Sequence, residues 1–398
     1  MKVLVLNCGS SSLKYQLFDM TDEKVLAKGL VDRIAIEGST IKHTKAGQAP
    51  VTTTTDIPNH KVAIRLVTEH LLDPGHGALE SLNELSAVGH RVVHGGEKFA
   101  KSVLIDQEVL EVIEDCVPLA PLHNPANLMG IRAVLDVLPD VPQVAVFDTA
   151  FHQSMPAKAY TYGLPYHYYE QSRLRRYGFH GTSHYYVAHR TAELLDKSIS
   201  GLKIVTCHMG NGSSITAVEG GKSVDTSLGF STVPGILMGT RAGDLDPVML
   251  LHLMEQEGIT PKAMSHILHK ESGLLGISGI SSDLRDIEEA ASTGNERATL
   301  ALEMLCYGVR KYIAAYAAAM GGIDAVVFTA GIGENSTLVR QMVCEGLEFL
   351  GAKLDVEKNN VRGKETVVST DDSRVKILVV PTNEELVIAR DTKTLVKA

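Results

Sequence analysis

The chain has 398 residues, 44% hydrophobic and 21% charged. That length exceeds what one hydrophobic core usually supports, so two domains are expected. A net charge of −9 disfavours a nucleic-acid partner and requires that any anionic substrate be held by locally placed cations. Five scattered cysteines (Cys8, Cys116, Cys207, Cys306, Cys344) without a CxxC pair argue against a disulfide framework and a zinc site. No apolar run approaches the ~18 residues of a membrane span, and Met1-Lys2 followed by four apolar residues reads as a strand rather than a signal peptide. A cytoplasmic chain with no membrane partner is expected.

Val3-Leu4-Val5-Leu6 reads as a buried strand, followed by a tight turn at Asn7-Cys8-Gly9-Ser10-Ser11 and a second strand through Phe18. Alternation puts Ser12, Lys14 and Gln16 on one face and Leu13, Tyr15 and Leu17 on the other. One face packs; the other offers hydroxyls and a cation beside the turn's backbone N–H groups, a setting for phosphate. Residues 38–60, rich in Thr and Gly, read as an excursion loop or an edge hairpin. Residues 107–117 are helix-like and end at Pro118. Asn124-Pro125 starts another helix, with asparagine as the cap and Leu128, Ile131, Val134 and Leu135 as the buried stripe. Gln143 to Phe147 reads as a buried strand delivering Asp148 at its end, and Thr182-Ser183 begins a helix through Leu195.

The opening pattern recurs from Ile204 to Val218 around Gly210-Asn211-Gly212. Two such β-turn-β elements point to a duplicated domain with ATP between the halves. An alanine-rich helix is expected over 296–320, ending at Gly321-Gly322. A strand from Asp324 to Thr329 then runs into Gly331-Ile332-Gly333-Glu334-Asn335. Val375 to Val380 is the last strand, and Asn383-Glu384-Glu385 caps a C-terminal helix. Strands alternating with helices read as α/β. No GxxxxGK[ST] segment occurs, which excludes a P-loop kinase.

Seven segments, spread in order over nearly the whole chain, together resemble the acetate kinase family. They are Asn7 to Lys14, Gly89 to Gly96, Phe147 to His152, Tyr177 to His184, His208 to Gly212, Met238-Gly239-Thr240-Arg241, and Gly331 to Asn335. The resemblance implies the duplicated two-domain fold shared by actin, the Hsp70 chaperones and sugar kinases, with the active site in the interdomain cleft, and a homodimer. Its domains would be residues 1–149, joined by a returning helix 384–398, and residues 150–383. It also implies reversible, direct in-line transfer of the γ-phosphoryl group of ATP to acetate, giving ADP and acetyl phosphate. Magnesium would be the cofactor, with manganese as a substitute.

Bringing a carboxylate up to a triphosphate presses like charges together. Each pair of unit charges about 4 Å apart costs about 4 kcal/mol at an effective dielectric of about 20. Cations must therefore converge on the reacting group. Arg91 in an apolar strand and Arg241 after a Gly-Thr turn have the forked donors for carboxylate and phosphoryl oxygens. His180 and His184 stand four apart, but His180 precedes the helix and no third ligand has metal spacing. The resemblance makes His180 a stabiliser of the transferring phosphoryl, while His184 reads as structural.

The family labels the residue matching Asp148 a proton acceptor. Acetate is already ionised and releases no proton on attack, so Asp148 reads instead as holding magnesium through water or orienting Arg91. Asn7 and Glu384 match the family's magnesium residues. Ser10, Ser12 and Lys14 of the first turn, with His208, Met209, Gly210, Asn211 and Gly212 of the second, are assigned to the phosphates. The adenosine is assigned to Asp283, Leu284, Arg285, Gly331, Ile332, Gly333, Glu334 and Asn335. Val93, Leu122 and Phe179 match the apolar lining of the acyl pocket. Thr232 falls where the family has a pocket proline, and here proline appears two residues later, at Pro234. Two alternatives stand beside acetate transfer: a propionate or other short-chain carboxylate kinase, and a non-catalytic actin-like ATP-binding protein. The latter would not need Arg91, Arg241 and His180 together.

Overall fold

The structure is a computed structural model that describes residues 1–397. The chain divides into two α/β units. One is Met1–Phe151 with the segment from Asn383 onward; the other is His152–Thr382.

The first unit is built on strands β1 (Lys2–Cys8), β2 (Ser12–Asp19), β3 (Lys24–Asp32), β4 (Thr40–Lys45), β5 (Val51–Thr54), β6 (Leu85–Val92), β7 (Val103–Leu104) and β8 (Gln143–Phe147). Their order in the sheet is β5-β4-β3-β2-β1-β6-β8-β7. β1 pairs antiparallel with β2 and parallel with β6. It is therefore central, which is why Val3 to Leu6 are all buried and why the run is continuously apolar. The β2 alternation appears as expected, with Leu13, Tyr15 and Leu17 buried and Lys14 exposed. Leu4, Leu6, Leu13 and Leu17 pack with Ile64, Val67 and Leu71 of the helix His60–Leu72 and with Val134 of the helix Asn124–Val137. The terminal helix Glu384–Lys397 lies close against β6 at Gly89, where an added Cβ would sit 2.5 Å from Thr392 Oγ1.

The second unit repeats this plan with β9 (Lys203–Met209), β10 (Ser213–Glu219), β11 (Lys222–Thr226), β12 (Ala325–Thr329), β13 (Thr366–Val367) and β14 (Lys376–Val379). Their order is β11-β10-β9-β12-β14-β13. β9 pairs antiparallel with β10 and parallel with β12, β12 parallel with β14, and β13 antiparallel with β14. Strand for strand this is the β3-β2-β1-β6-β8-β7 arrangement of the first unit, so the domain is duplicated. The helix Glu296–Ala319, capped by the Asn295 side chain accepting from Ala298 N, buries Leu302, Leu305, Val309 and Ile313 with Val205 and Phe328 of the sheet.

The structure settles one local alternative and corrects other local expectations. The stretch 38–60 is the edge hairpin β4–β5. Asn124 does not cap its helix. His123 occupies that position, and the buried Asn124 side chain instead bridges to the His94 backbone and to Ile113 O. Leu135 is exposed at 37%, because the helix buries a narrower stripe. The Gly331–Asn335 segment follows β12 and precedes the helix Thr337–Cys344 as its position suggests, and is itself helical over Ala330–Asn335.

Candidate active site

In the first unit, neighbouring parallel strands bring two distant residues together. Arg91 is the penultimate residue of β6, and Asp148 follows β8, with Asp148 N donating to Val92 O at 2.9 Å. Arg91 Nε donates to Asp148 Oδ1 at 3.0 Å and Nη2 to Oδ2 at 2.6 Å, a bidentate pair. Nη1 donates to Asn7 Oδ1 at 3.4 Å, and Glu384 Oε2 lies 3.9 Å from Nε. Asp148 is 2% exposed and Arg91 24%.

Burial opposes the charge on Arg91, yet Asp148 and Glu384 outweigh it and hold the guanidinium firmly protonated. Burial pushes the Glu384 carboxyl above the usual range, as do the nearby Asp148 and Glu385 charges, while Arg91 and Lys14 pull it back. A guanidinium has five N–H donors; three are used here, leaving one on each Nη for a carboxylate or phosphoryl oxygen.

The strand end beyond Arg91 is anchored by two asparagines that sequence reasoning did not single out for this task. Val93 N donates to Asn127 Oδ1 at 3.0 Å, and Asn127 Nδ2 donates to Cys8 O at 2.9 Å. Asn124 holds His94 in the same way. An Asn-Pro-Ala-Asn sequence opening a helix is the one signal that could have marked them.

The second unit carries an independent cluster around the β9–β10 turn. Gly210 N donates to Gly212 O and to Ser213 Oγ, each at 3.2 Å. A Cβ added to Gly212 would lie 3.2 Å from Arg241 Nη1 and 3.7 Å from His180 Nε2, so both side chains reach this turn. His180 sits in the left-handed region (φ 57°) immediately before the helix Gly181–Leu194. Its ring stacks on His208 with centroids 4.1 Å apart.

Arg241 has no carboxylate partner among the described residues; Nη1 reaches only Thr232 O at 3.3 Å and Met238 Sδ at 3.9 Å. Burial without a counter-ion lowers its pKa from the usual arginine value. The loop holding it is pinned to the segment after it: Gly273 adopts φ +67°, and a Cβ there would meet Met238 O at 2.1 Å and Arg241 N at 2.9 Å. Gly239 likewise has no room for a Cβ, with Asn211 Oδ1 only 2.3 Å from that position.

One unit thus offers a clamped arginine ringed by oxygens, and the other an arginine lacking a counter-ion beside a glycine turn. The family model for the acetokinase family matches residues 2–390 of the chain. The chain is 59% identical to the acetate kinase of Treponema denticola over 397 residues, with both proteins fully covered. A crystal structure of Porphyromonas gingivalis acetate kinase superposes with a TM-score of 0.96 at 51% identity, covering 99% of each chain. The crystal structure of a propionate kinase from Francisella tularensis superposes at 0.92 with 40% identity, again over 99% of each. This chain belongs to the acetokinase family.

As an acetokinase-family member it is a kinase whose acceptor is a carboxyl group, and the remaining residues can be placed against that chemistry. Asn7, Lys14, Arg91, Val93, Leu122, Asp148 and Glu384 lie in the first unit. So do Ser10 and Ser12, whose turn is closed by Gly9 N donating to Ser12 O at 2.8 Å. Phe179, His180, Thr232, Arg241 and the residues 208–212, 283–285 and 331–335 expected to meet the nucleotide lie in the second. Val93 and Phe179 are buried, whereas Leu122 is 62% exposed.

Met209 and Leu284 send their side chains into the hydrophobic core, so only their backbone can serve a ligand. Asp283 caps the helix Leu284–Ser292 through Arg285 N and pairs with the Arg285 side chain at 2.6 Å, which pulls its carboxyl down to about 2. A Cβ on Gly331 would meet nothing within 4 Å. By contrast Glu334 faces inward, its Oε1 accepting from Thr382 N at 3.2 Å. Asn335 Nδ2 donates to Gly331 O at 2.8 Å, closing the segment on itself.

All five cysteines are buried, and none is disulfide-bonded among the described residues. Among the described residues no helix is long and apolar enough to cross a membrane.

Proposed function

We propose that this chain is an acetate kinase that transfers the γ-phosphoryl group of ATP reversibly to acetate by direct in-line displacement. The observation that carries the reading is the contrast between its two arginines: Arg91 is aimed by Asp148, and Arg241 has no counter-ion among the described residues. Arg91 uses its two remaining N–H groups to hold the acetate carboxylate. Arg241 and His180 take the charge of the transferring phosphoryl, a role that needs strong donors in place before reaction.

Asp148 is not the base. Its two oxygens are committed to Arg91, and an ionised acetate has no proton to give. Asp148 therefore orients the arginine.

The nucleotide is assigned to the Gly210-Asn211-Gly212 turn for its phosphates, with Ser10, Ser12, Lys14, His208 and Met209, and to the segments around Asp283 and Gly331 for adenosine. A divalent ion, magnesium or in its place manganese, would arrive on the phosphates and be held by Asn7 and Glu384. Among the described residues no three acidic, histidine or cysteine side chains converge on a metal position. Magnesium keeps several waters and takes one or two carboxylates beside phosphate oxygens, a demand that Asn7 and Glu384 would meet. Such an ion would supply positive charge that neutralises the phosphates.

The acyl pocket is assigned to Val93, Leu122, Phe179 and Thr232. The shift of proline to Pro234 is the reason to test propionate beside acetate. A cytoplasmic homodimer is the proposed setting. Cysteines without disulfides suit a reducing compartment, and the helix Pro247–Glu257 buries none of its residues while exposing Val248, Met249 and Leu251, an apolar face for a second copy to cover.

The test is trapping of acyl phosphate with hydroxylamine in the presence of ATP, magnesium and a panel of carboxylic acids. Acetate should give the highest kcat/KM. No acetyl hydroxamate with any divalent ion would overturn the proposal.

A further inference from the structure

Behind His180 runs a row of hydrogen bonds to which the chemistry above gives no task. His180 Nδ1 is 2.9 Å from Ser214 Oγ, and Ser214 Oγ is 2.7 Å from His184 Nε2. His184 Nδ1 is 2.7 Å from Thr206 Oγ1, which is 3.4 Å from the Thr216 carbonyl oxygen. Ser214, His184 and Thr206 are fully buried. Thr206 and Thr216 face each other across β9 and β10, with Ser214 opposite His208 in the same ladder, so the row is fixed by sheet register.

The row has a direction. A carbonyl oxygen only accepts, so the Thr206 hydroxyl donates its single proton to Thr216 O, and Thr206 Oγ1 must accept from His184 Nδ1–H. Burial holds the His184 pKa well below that of an ordinary histidine, and His152 and His208 act in the same sense. The ring is therefore neutral, and its Nε2 carries the lone pair that takes the Ser214 proton. Ser214, its proton spent, accepts from His180 Nδ1–H.

We infer that Ser214, backed by His184 and Thr206, is a positioning residue for phosphoryl transfer that keeps a proton on His180 Nδ1 and directs His180 Nε2 toward the Gly212–Arg241 side. This rests on His180 acting on the transferring phosphoryl. A ring held in this way donates from Nε2 only when it carries a second proton, a form that a nearby phosphoryl charge favours. Ser214 accepts from the ring in both protonation states, so the imidazole need not turn when it takes up charge.

The test is 15N NMR of histidine-labelled full-length protein, with His180 assigned by its loss in His180→Asn, recorded above the pH at which the ring titrates. The wild type should show His180 protonated at Nδ1. Ser214→Ala should shift the population toward Nε2–H and lower kcat about 10- to 100-fold, the usual cost of losing an orienting partner. KM for ATP and acetate should stay within about twofold. Ser214→Thr should restore both readouts. Thr206→Val, nearly isosteric, should shift the tautomer in the same direction and guards against misfolding of the first variant. A proton on Nε2 in the wild type, or a tautomer unmoved by Ser214→Ala, overturns the row while leaving the role of His180 standing. A moved tautomer with undiminished kcat overturns the positioning task of Ser214.

Discussion

Asp148 commits both carboxylate oxygens to Arg91, at 3.0 and 2.6 Å, although the two residues are 57 positions apart in the chain. Asp148→Asn keeps the shape but can accept through one oxygen only. Arg91 should then swing between orientations, and kcat should fall about 100-fold, or about 2.7 kcal/mol. The pH–rate profile should keep its shape, and the magnesium dependence should be unchanged. Loss of one basic limb would restore Asp148 as a proton acceptor, and an altered magnesium requirement would make it a metal residue.

The two arginines should part company in stability while agreeing in activity. Arg91→Ala strands a carboxylate that is 2% exposed, which for a broken buried pair costs about 3 kcal/mol. Arg241→Ala removes a half-buried cation that has no counter-ion among the described residues, so denaturant unfolding should show no loss, or a gain. Both should lower kcat by two or more orders of magnitude. Near wild-type turnover in either folded variant would remove that residue from the site.

Three buried histidines set an acid limit. Burial lowers the pKa of His90 and His152 from the ordinary 6.5 to about 4, and holds that of His184 well below 6.5. Below 6.5 the unfolded chain binds protons that the native state refuses, so stability is fully present above 6.5 and is lost as pH falls toward 4. The melting temperature should drop over that window, with proton uptake on unfolding. His90→Gln should reduce the uptake by about one proton; an unchanged slope would mean that His90 is charged in the native state.

Selectivity between acids tests the pocket. Val93 follows the last residue of β6, two residues beyond Arg91, and is buried with its N–H held by Asn127. One methylene in an apolar site is worth about 1–3 kcal/mol. Val93→Ala should therefore raise kcat/KM for propionate relative to acetate about tenfold or more. An unchanged ratio would place Val93 outside the pocket.

Elements dominated by local physics were legible in the sequence. Continuous apolarity marked the central strands β1, β8 and β12, and period-2 alternation oriented β2 correctly. The paired glycines Gly321-Gly322 marked the end of the long helix. Repetition of the β-turn-β pattern announced the duplication that the two sheet orders confirm.

What depended on partners far along the chain was decided only by tertiary structure. Asn124 looks like a cap because its local context is a helix start, yet the His94 backbone claims its side chain. The division of labour between the arginines could not be read locally either, because whether a guanidinium meets a carboxylate depends on which strand ends become neighbours. Ser214 and Thr206 are ordinary strand residues in sequence. Only the β9–β10 register and the helix bearing His184 align their hydroxyls with His180. Periodicity reports which face a side chain takes, but hydrogen-bond partners are chosen by the packing of whole elements.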